Sequence, residues 1–447
     1  MSVTAVVWAL SAACLFIGSV LRPSWAVALY MLTFFAAPHL WWWGKGLPSL
    51  RYALIAGFIL LASVALHSGH ATGRPGLSAR VPSVAAIVML VNAGLVHFVL
   101  ATDPVVSLDG YIELLKFVTL YFLLASAIQD RRDMRVVLMS LAVGAAYIGY
   151  EVTINERGDF EAGRLEGVGA PGADTANALA SMLLLVLPLI GSLFIDGKWW
   201  QKAMVVIAAP LALNVVILCN SRGAFLGLIG AGLVFFLLAR GPTRKKAIRV
   251  LSLGALSLYL LLGDPEILDR FTTTFSGAEE RDRSAASRIE FWKAGMLMLR
   301  DYPAGAGGGS FKYVHGDKYL AEAGSEQTAR SLHNGYLTEA TDWGIQGLII
   351  KVIFVGSAIL MAYRTVERCR KAGRLEDSLV GISFIVSVAG FLIICMFGSY
   401  LQSEWAYWIV AFLVRYSELY GAPAVAAEAT AIEATATVLA PAARVPA

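Results

Sequence analysis

The chain alternates long apolar blocks with short polar ones. Apolar blocks fall at about 3–21, 25–43, 52–66, 82–101, 111–128, 134–152, 175–196, 200–219, 223–239, 246–262, 343–363, 378–397 and 403–420. A helix needs about 20 such residues to cross about 30 Å of hydrocarbon. Most blocks reach that length; 52–66 is short, and the first two are joined only by Arg22-Pro23-Ser24. The pattern predicts an all-α polytopic membrane protein with about 12 transmembrane helices and one N-terminal element unassigned. The first apolar block lacks the basic start and small-residue cleavage site of a secretory signal, so it is expected to remain as a helix.

One break in the pattern is much longer than an ordinary connector. It divides the chain into an N-terminal transmembrane bundle (1–262), a large polar loop (263–342), C-terminal transmembrane helices (343–420) and a tail (421–447). The tail is rich in Ala, Pro, Glu and Thr and has little to bury, so it is expected to be disordered and cytoplasmic. Within the loop, Ser287–Leu299 reads as an amphipathic helix, followed by the glycine-rich turn Pro303–Gly309. No solenoid-type repeat is present.

Charge orients the blocks, because cytoplasmic loops carry an excess of Lys and Arg. Basic clusters stand at Arg131, Arg132 and Arg135; at Lys198 and Lys202; at Arg240 to Arg249; and at Arg364 to Arg374. These four loops agree in parity. The alternate segments 153–174, Cys219–Arg222, 263–342 and 398–402 then share the opposite, external side.

Composition agrees with a membrane class: 57% hydrophobic, 15% charged and mean hydropathy +0.66, where soluble domains sit near 25% charged. The net charge of +4 is distributed as topology signals and not as a nucleic-acid surface. Cys14, Cys219, Cys369 and Cys395 have neither metal nor disulfide spacing. His67 and His70 lack an acidic or thiol partner, and no Asp-x-Asp exists. No metal and no cofactor are expected.

The polar residues on the external side carry the candidate chemistry. Arg222 opens a span, where the ordinary reading is an arginine reaching to the headgroups. Its loop is short and on the side where positive charge is disfavoured, which favours a grip on phosphate. Arg288 opens the amphipathic stretch beside Glu290 and Trp292; its ordinary reading is a local pair with Glu290. Arg281 and Arg283 are rivals for its role. His333 stands just before the chain re-enters the membrane, and neutral imidazole suits a general base; His315 competes with it. Glycines 305–309 lack the Gly-Lys-Ser/Thr ending of a phosphate loop. Inside the blocks, Glu113 and Lys116 can pair on one helix face. Lys351, Glu404 and Arg415 are further buried-charge candidates.

The ordered set Ser221-Arg222-Gly223-Ala224, Arg288 with Trp292, Tyr302-Pro303-Ala304-Gly305-Ala306-Gly307 with Ser310-Phe311, His333-Asn334-Gly335-Tyr336-Leu337 and Asp342-Trp343-Gly344-Ile345-Gln346-Gly347 resembles the O-antigen ligase and polymerase superfamily of bacterial inner membranes. Asp174-Thr175-Ala176-Asn177 resembles that family's outer-loop asparagine. The resemblance implies a multi-pass inner-membrane enzyme whose large periplasmic loop bears the site. It implies transfer of a glycan from undecaprenyl pyrophosphate to a lipid A–core sugar hydroxyl, metal-independent and inverting. Carried over by position, His333, Arg288 and Arg222 would be catalytic. Substrate contacts would come from Arg222, Arg288, Arg283, Asn177, Asn334, Trp292 and Lys116. Partners would be the lipid-linked donor, the lipid A–core acceptor and membrane lipids, with no nucleic acid. Repeat-unit polymerisation and protein O-glycosylation are the alternatives within the superfamily. A lipid-linked glycan transporter would show inverted repeats and broken helices at the midplane, which the sequence lacks.

Overall fold

The computed structural model describes residues 2–68, 77–161, 163–169, 175–241, 244–245, 248, 252 and 278–421, with side chains described outside 77–79 and 278–286. The block 246–262 therefore lies outside the described residues apart from 248 and 252, as do the start of the large loop and the tail beyond 421.

Among the described residues, nine α-helices form the first part: α1 (Val3–Leu21), α2 (Pro23–Phe35), α3 (Tyr52–His67), α4 (Leu77–Leu95), α5 (Pro104–Ala127), α6 (Arg131–Thr153), α7 (Ala176–Asp196), α8 (Trp199–Leu218) and α9 (Arg222–Leu238). The large loop contains α10 (Ala278–Asp301) and α11 (Gly316–Glu322); α12 (Gly335–Lys371), α13 (Leu375–Ile394) and α14 (Glu404–Gly421) follow. A hairpin of β1 (Asp159–Glu161) and β2 (Arg164–Glu166) pairs antiparallel, with Phe160 opposite Leu165. Eight described helices are long and apolar enough to cross a membrane, accompanied by three shorter apolar helices, α2, α3 and α9. The chain is a mostly helical, multi-pass membrane protein.

Local chemistry sets the ends. Ser2 caps α1 by accepting from Ala5 N at 3.2 Å. The apolar block 25–43 is α-helical only as far as Phe35, and a 3-10 turn begins at Trp42. Pro38 disfavours helical geometry at Ala37, and the chain turns there. Trp41 and Trp43 are then buried, with Trp43 Nε1 donating to the Tyr147 hydroxyl at 2.6 Å. Asp130 and Asp133 cap α6 reciprocally, and buried Asp133 also accepts from Arg22 at 3.1 Å and Ser24 at 2.6 Å.

The loops that charge parity assigns to one side gather at one end of the bundle. Arg131 grips Asp377 with two hydrogen bonds of 2.9 Å and lies 4.0 Å from the Tyr420 ring centroid. Arg135 reaches Asp196 at 3.4 Å. The buried-charge candidates are internally matched. Glu404 accepts from Tyr30 at 3.2 Å, Arg415 pairs with Glu418, and Lys351 stands 3.6 Å from Glu339. All four cysteines are free.

At the other end, α10 and α11 share a small core of their own around Phe291, Met298, Phe311, Tyr319 and Leu332. The glycine-rich turn lays this core on α12. Ala306 N and Gly307 N donate to the carbonyls of Thr341 and Asp342 at 3.0 Å. There α12 breaks its helical geometry at Gly344 (φ 83°, ψ 168°).

Gly305 has φ 96°, and a Cβ there would stand 2.6 Å from Gly344 N and 2.8 Å from Asp342 O. Both neighbours are backbone and cannot swing away. Gly305→Ala is expected to cost about 1–3 kcal/mol from the left-handed conformation alone, with the clash added. A thermal melt of the detergent-solubilised protein checks this; an unchanged midpoint would contradict it.

Candidate active site

Four arginines from four parts of the chain converge at the end opposite the Arg131–Asp377 contact. Arg288, on α10, is largely enclosed. Burial holds its pKa below the usual guanidinium value, and the fields of Arg164, Arg222 and Arg330 depress it further, against the opposing influence of Tyr400. Among the described residues none of these four guanidiniums forms an ion pair with a carboxylate. Like charges gathered in this way are costly, and a bound anion relieves the cost.

Each arginine is placed by an identifiable device. Arg222 is the first residue of α9, behind Ser221, whose hydroxyl accepts from Ala224 N at 3.3 Å. A cation at the positive end of a helix dipole is unfavourable for the helix; it adds to the attraction for a bound anion. Arg164 sits on the β hairpin. That hairpin is fixed to the bundle by Asn220 Nδ2 donating to Gly163 O at 3.4 Å and by Ala176 N donating to Glu166 Oε2 at 2.7 Å. Arg330 lies over the Phe291 ring at 5.2 Å, a cation–π contact.

His333 packs against the same Phe291 ring edge-to-face, with centroids 6.1 Å apart. Burial, followed by the charges of Arg288 and Arg330, lowers its pKa from 6.5 to about 4. The ring is therefore neutral at pH 7 and has a lone pair available. Its backbone is left-handed (φ 51°), uncommon for a non-glycine residue. Asn334 follows as the N-cap of α12, its Oδ1 accepting from Tyr336 N and Leu337 N at 3.1 Å. Gly335 N donates to Cys395 O at 2.7 Å, and the Tyr336 hydroxyl to Leu392 O at 2.8 Å. The His333 loop is thus tied to the end of α13.

Arg222, Arg288 and His333, the three residues singled out by position and charge, come together with Arg288 at the centre. The competitors do different things. His315 Nε2 is hydrogen-bonded to Thr102 Oγ1 at 2.9 Å, and its ring stacks on Tyr302 at 5.1 Å. Glu290 accepts from Ser325 at 2.5 Å and does not pair with Arg288. Arg281 and Arg283 lie on α10, but their side chains are outside the described residues. Trp292 lies one position beyond Phe291, and its buried indole N–H has no hydrogen-bond partner. Asn177 is half-buried in the first turn of α7, beside the helix end that Glu166 caps. Lys116 stands apart from the arginines. With Glu113 it lines a cavity of about 720 Å³ between α5, the glycine-rich turn and the start of α12.

Arg164, Arg330 and Tyr400 belong to the site and were not singled out from sequence. The hairpin that carries Arg164 has three-residue strands, too short for a periodic signal. Gly158, Gly163, Gly167 and Gly169, all with positive φ, are the one compositional sign of tight turns there.

The arrangement offers multidentate cationic recognition beside a neutral imidazole. Among the described residues no group of three or more His, Cys, Asp and Glu side chains is placed to hold a metal. Residues 203–352, about a third of the chain, match the protein-family model described as O-Antigen ligase. The matched stretch contains Arg222, Arg288, Arg330 and His333. No curated protein matches the chain.

Proposed function

With the O-antigen ligase family match over residues 203–352 as premise, we propose that the chain is an O-antigen ligase of the bacterial inner membrane. It transfers a glycan from undecaprenyl pyrophosphate to a sugar hydroxyl of lipid A–core on the periplasmic face, with inversion. The observation that supports this reading is the arginine group centred on half-buried Arg288, without an ion-paired carboxylate among the described residues, with neutral His333 beside it. A pyrophosphate is an anion of the right multiplicity for such a group, and guanidinium forks suit its oxygens.

The chemistry follows from charge. The glycosidic bond to pyrophosphate breaks as the acceptor oxygen bonds the anomeric carbon, and negative charge grows on the departing pyrophosphate. Arg288, Arg222, Arg164 and Arg330 are preorganised for that charge; one such donor typically contributes about 10²–10³ in rate. His333 accepts the acceptor hydroxyl's proton. Asn177 contributes a donor at the rim and Trp292 one from within, and Arg283 is a further candidate. The polyprenyl tail lies among the apolar helix faces.

The test is transfer from purified undecaprenyl-pyrophosphate glycan to rough lipopolysaccharide, with EDTA present. Arg288→Ala is expected to lose about 10²–10³ in kcat/KM. Arg288→Lys should recover only part of this, because an ammonium lacks the bidentate fork. Lengthened lipid-linked glycan, in place of lipopolysaccharide product, would move the assignment to repeat-unit polymerisation. Full activity in Arg288→Ala of unchanged thermal stability would refute the site.

A further inference from the structure

The cavity lined by Lys116 is separate from the arginine group and differs from it in charge. Its carboxylates are Asp109, Glu113, Glu339 and Asp342; its cations are Lys116, Lys312 and Lys351. Carboxylates and cations are mixed around it, so it lacks the uninterrupted positive field that the arginine group offers a pyrophosphate. The deep wall is polar and enclosed: Glu339 and Lys351 are each 1% exposed and Asp342 3%. Neither oxygen of Glu339 has a hydrogen-bond partner. Gln402 gives its amide to Asp342 instead, at 3.1 Å. A polyprenyl tail offers no hydrogen bond to a wall this polar, and apolar contact there is unfavourable.

The cavity also touches the strip that carries the imidazole. Ser331, Thr338 and Ser399 line it, with Ser331 Oγ 2.7 Å from Ser399 Oγ and Ser399 Oγ 2.8 Å from Thr338 Oγ1. Ser331 Oγ in turn accepts from His333 N at 3.4 Å. Ser331 thus faces the cavity, while His333, two residues on, lies in the field of Arg288 and Arg330.

We propose that this cavity holds the acceptor glycan, its hydroxyls donating to Glu113 and Asp342 and its apolar faces lying against Trp343 and Phe117. The proposal rests on the ligase reading above. Carboxylates accept hydrogen bonds from hydroxyl groups, and convergent polar groups with aromatic walls are how ligand pockets fix orientation. Donor and acceptor would then occupy differently charged chambers at either end of the 331–333 strip.

The experiment uses the full chain in lipid nanodiscs and two soluble probes: delipidated core oligosaccharide from rough lipopolysaccharide, and inorganic pyrophosphate. Hydrogen exchange is expected to slow at 106–117 and 335–343 with the oligosaccharide, and at 287–292 with pyrophosphate. Glu113→Gln and Asp342→Asn should weaken oligosaccharide binding at least tenfold and raise acceptor KM, with donor KM within twofold of wild type. Because a change at enclosed Asp342 can affect folding, Ile112→Trp, at an exposed position on the cavity wall, is a further variant and should show the same split. Protection elsewhere, or unchanged oligosaccharide affinity in all three variants, overturns the cavity assignment even when transfer is normal. Absence of transfer by wild type, with the oligosaccharide still protecting the cavity, removes the ligase reading and leaves the glycan site standing.

Discussion

His333→Asn is expected to fold normally and to lose about 10²–10⁴ of the transfer rate, the usual contribution of a positioned general base. Asparagine is the informative replacement because His333 is left-handed at φ 51°, a conformation that Asn tolerates and Ala does not. The backbone and the Asn334 cap should survive while the imidazole is lost. The pH dependence is also specified. The free protein holds His333 at about 4 through burial and the nearby arginines. Below that pH the ring is protonated and cannot accept a proton, so kcat/KM should fall on an acid limb near 4, not near 6.5. Bound pyrophosphate neutralises the arginine field, so the limb in kcat should lie higher than the limb in kcat/KM. Coincident limbs near 6.5, or an active His333→Asn, would remove the imidazole from this role.

Lys351→Met is expected to produce the largest loss of stability, about 3–5 kcal/mol, the cost of leaving a buried charge without its partner. Lys351 Nζ donates to the Tyr407 hydroxyl at 2.6 Å, stands 4.5 Å from that ring's centroid and 3.6 Å from Glu339. No other salt-bridge partner for Glu339 is present among the described residues. The double variant Glu339→Gln with Lys351→Met should recover much of the loss, since replacing both members of a buried pair is far milder than removing one. Thermal unfolding in detergent, as a double-mutant cycle, measures the coupling. Additive losses would show that Tyr407 and Leu401, not Glu339, are what Lys351 serves.

Much of the fold is legible in the apolar pattern because lipid selects for it directly. The block 3–21 coincides with α1, 52–66 with α3 to within a residue, and 403–420 with α14 to within a residue. The second block failed at its end because a hydrophobicity count does not register Pro38. The site was legible where a residue's charge conflicted with its position, as with Arg222 at a helix start and His333 at a re-entry point. It was not legible where contacts come from distant segments. Arg164 reaches Arg288 only because a hairpin of six strand residues is hydrogen-bonded to the turn before Arg222. Arg330 is recognisable only once Phe291 lies beneath it. Glu113 and Lys116, three residues apart, do not pair; both line the cavity.

The break at Gly344 also bears on how the protein sits in a bilayer. The stretch of α12 after it rises about 40 Å at 1.5 Å per residue, longer than the roughly 30 Å of hydrocarbon. It ends in Arg368, Arg370 and Lys371, the residue types that favour a headgroup region. The nine residues before the break, with the His333 loop ahead of them, stand as a separate collar on top of this shaft. The shaft therefore acts as a spacer that fixes the collar's height over the lipid. For the lipid-linked pyrophosphate donor proposed above, whose depth the bilayer itself would set, the reach to the collar would then depend on membrane thickness and not on the protein alone.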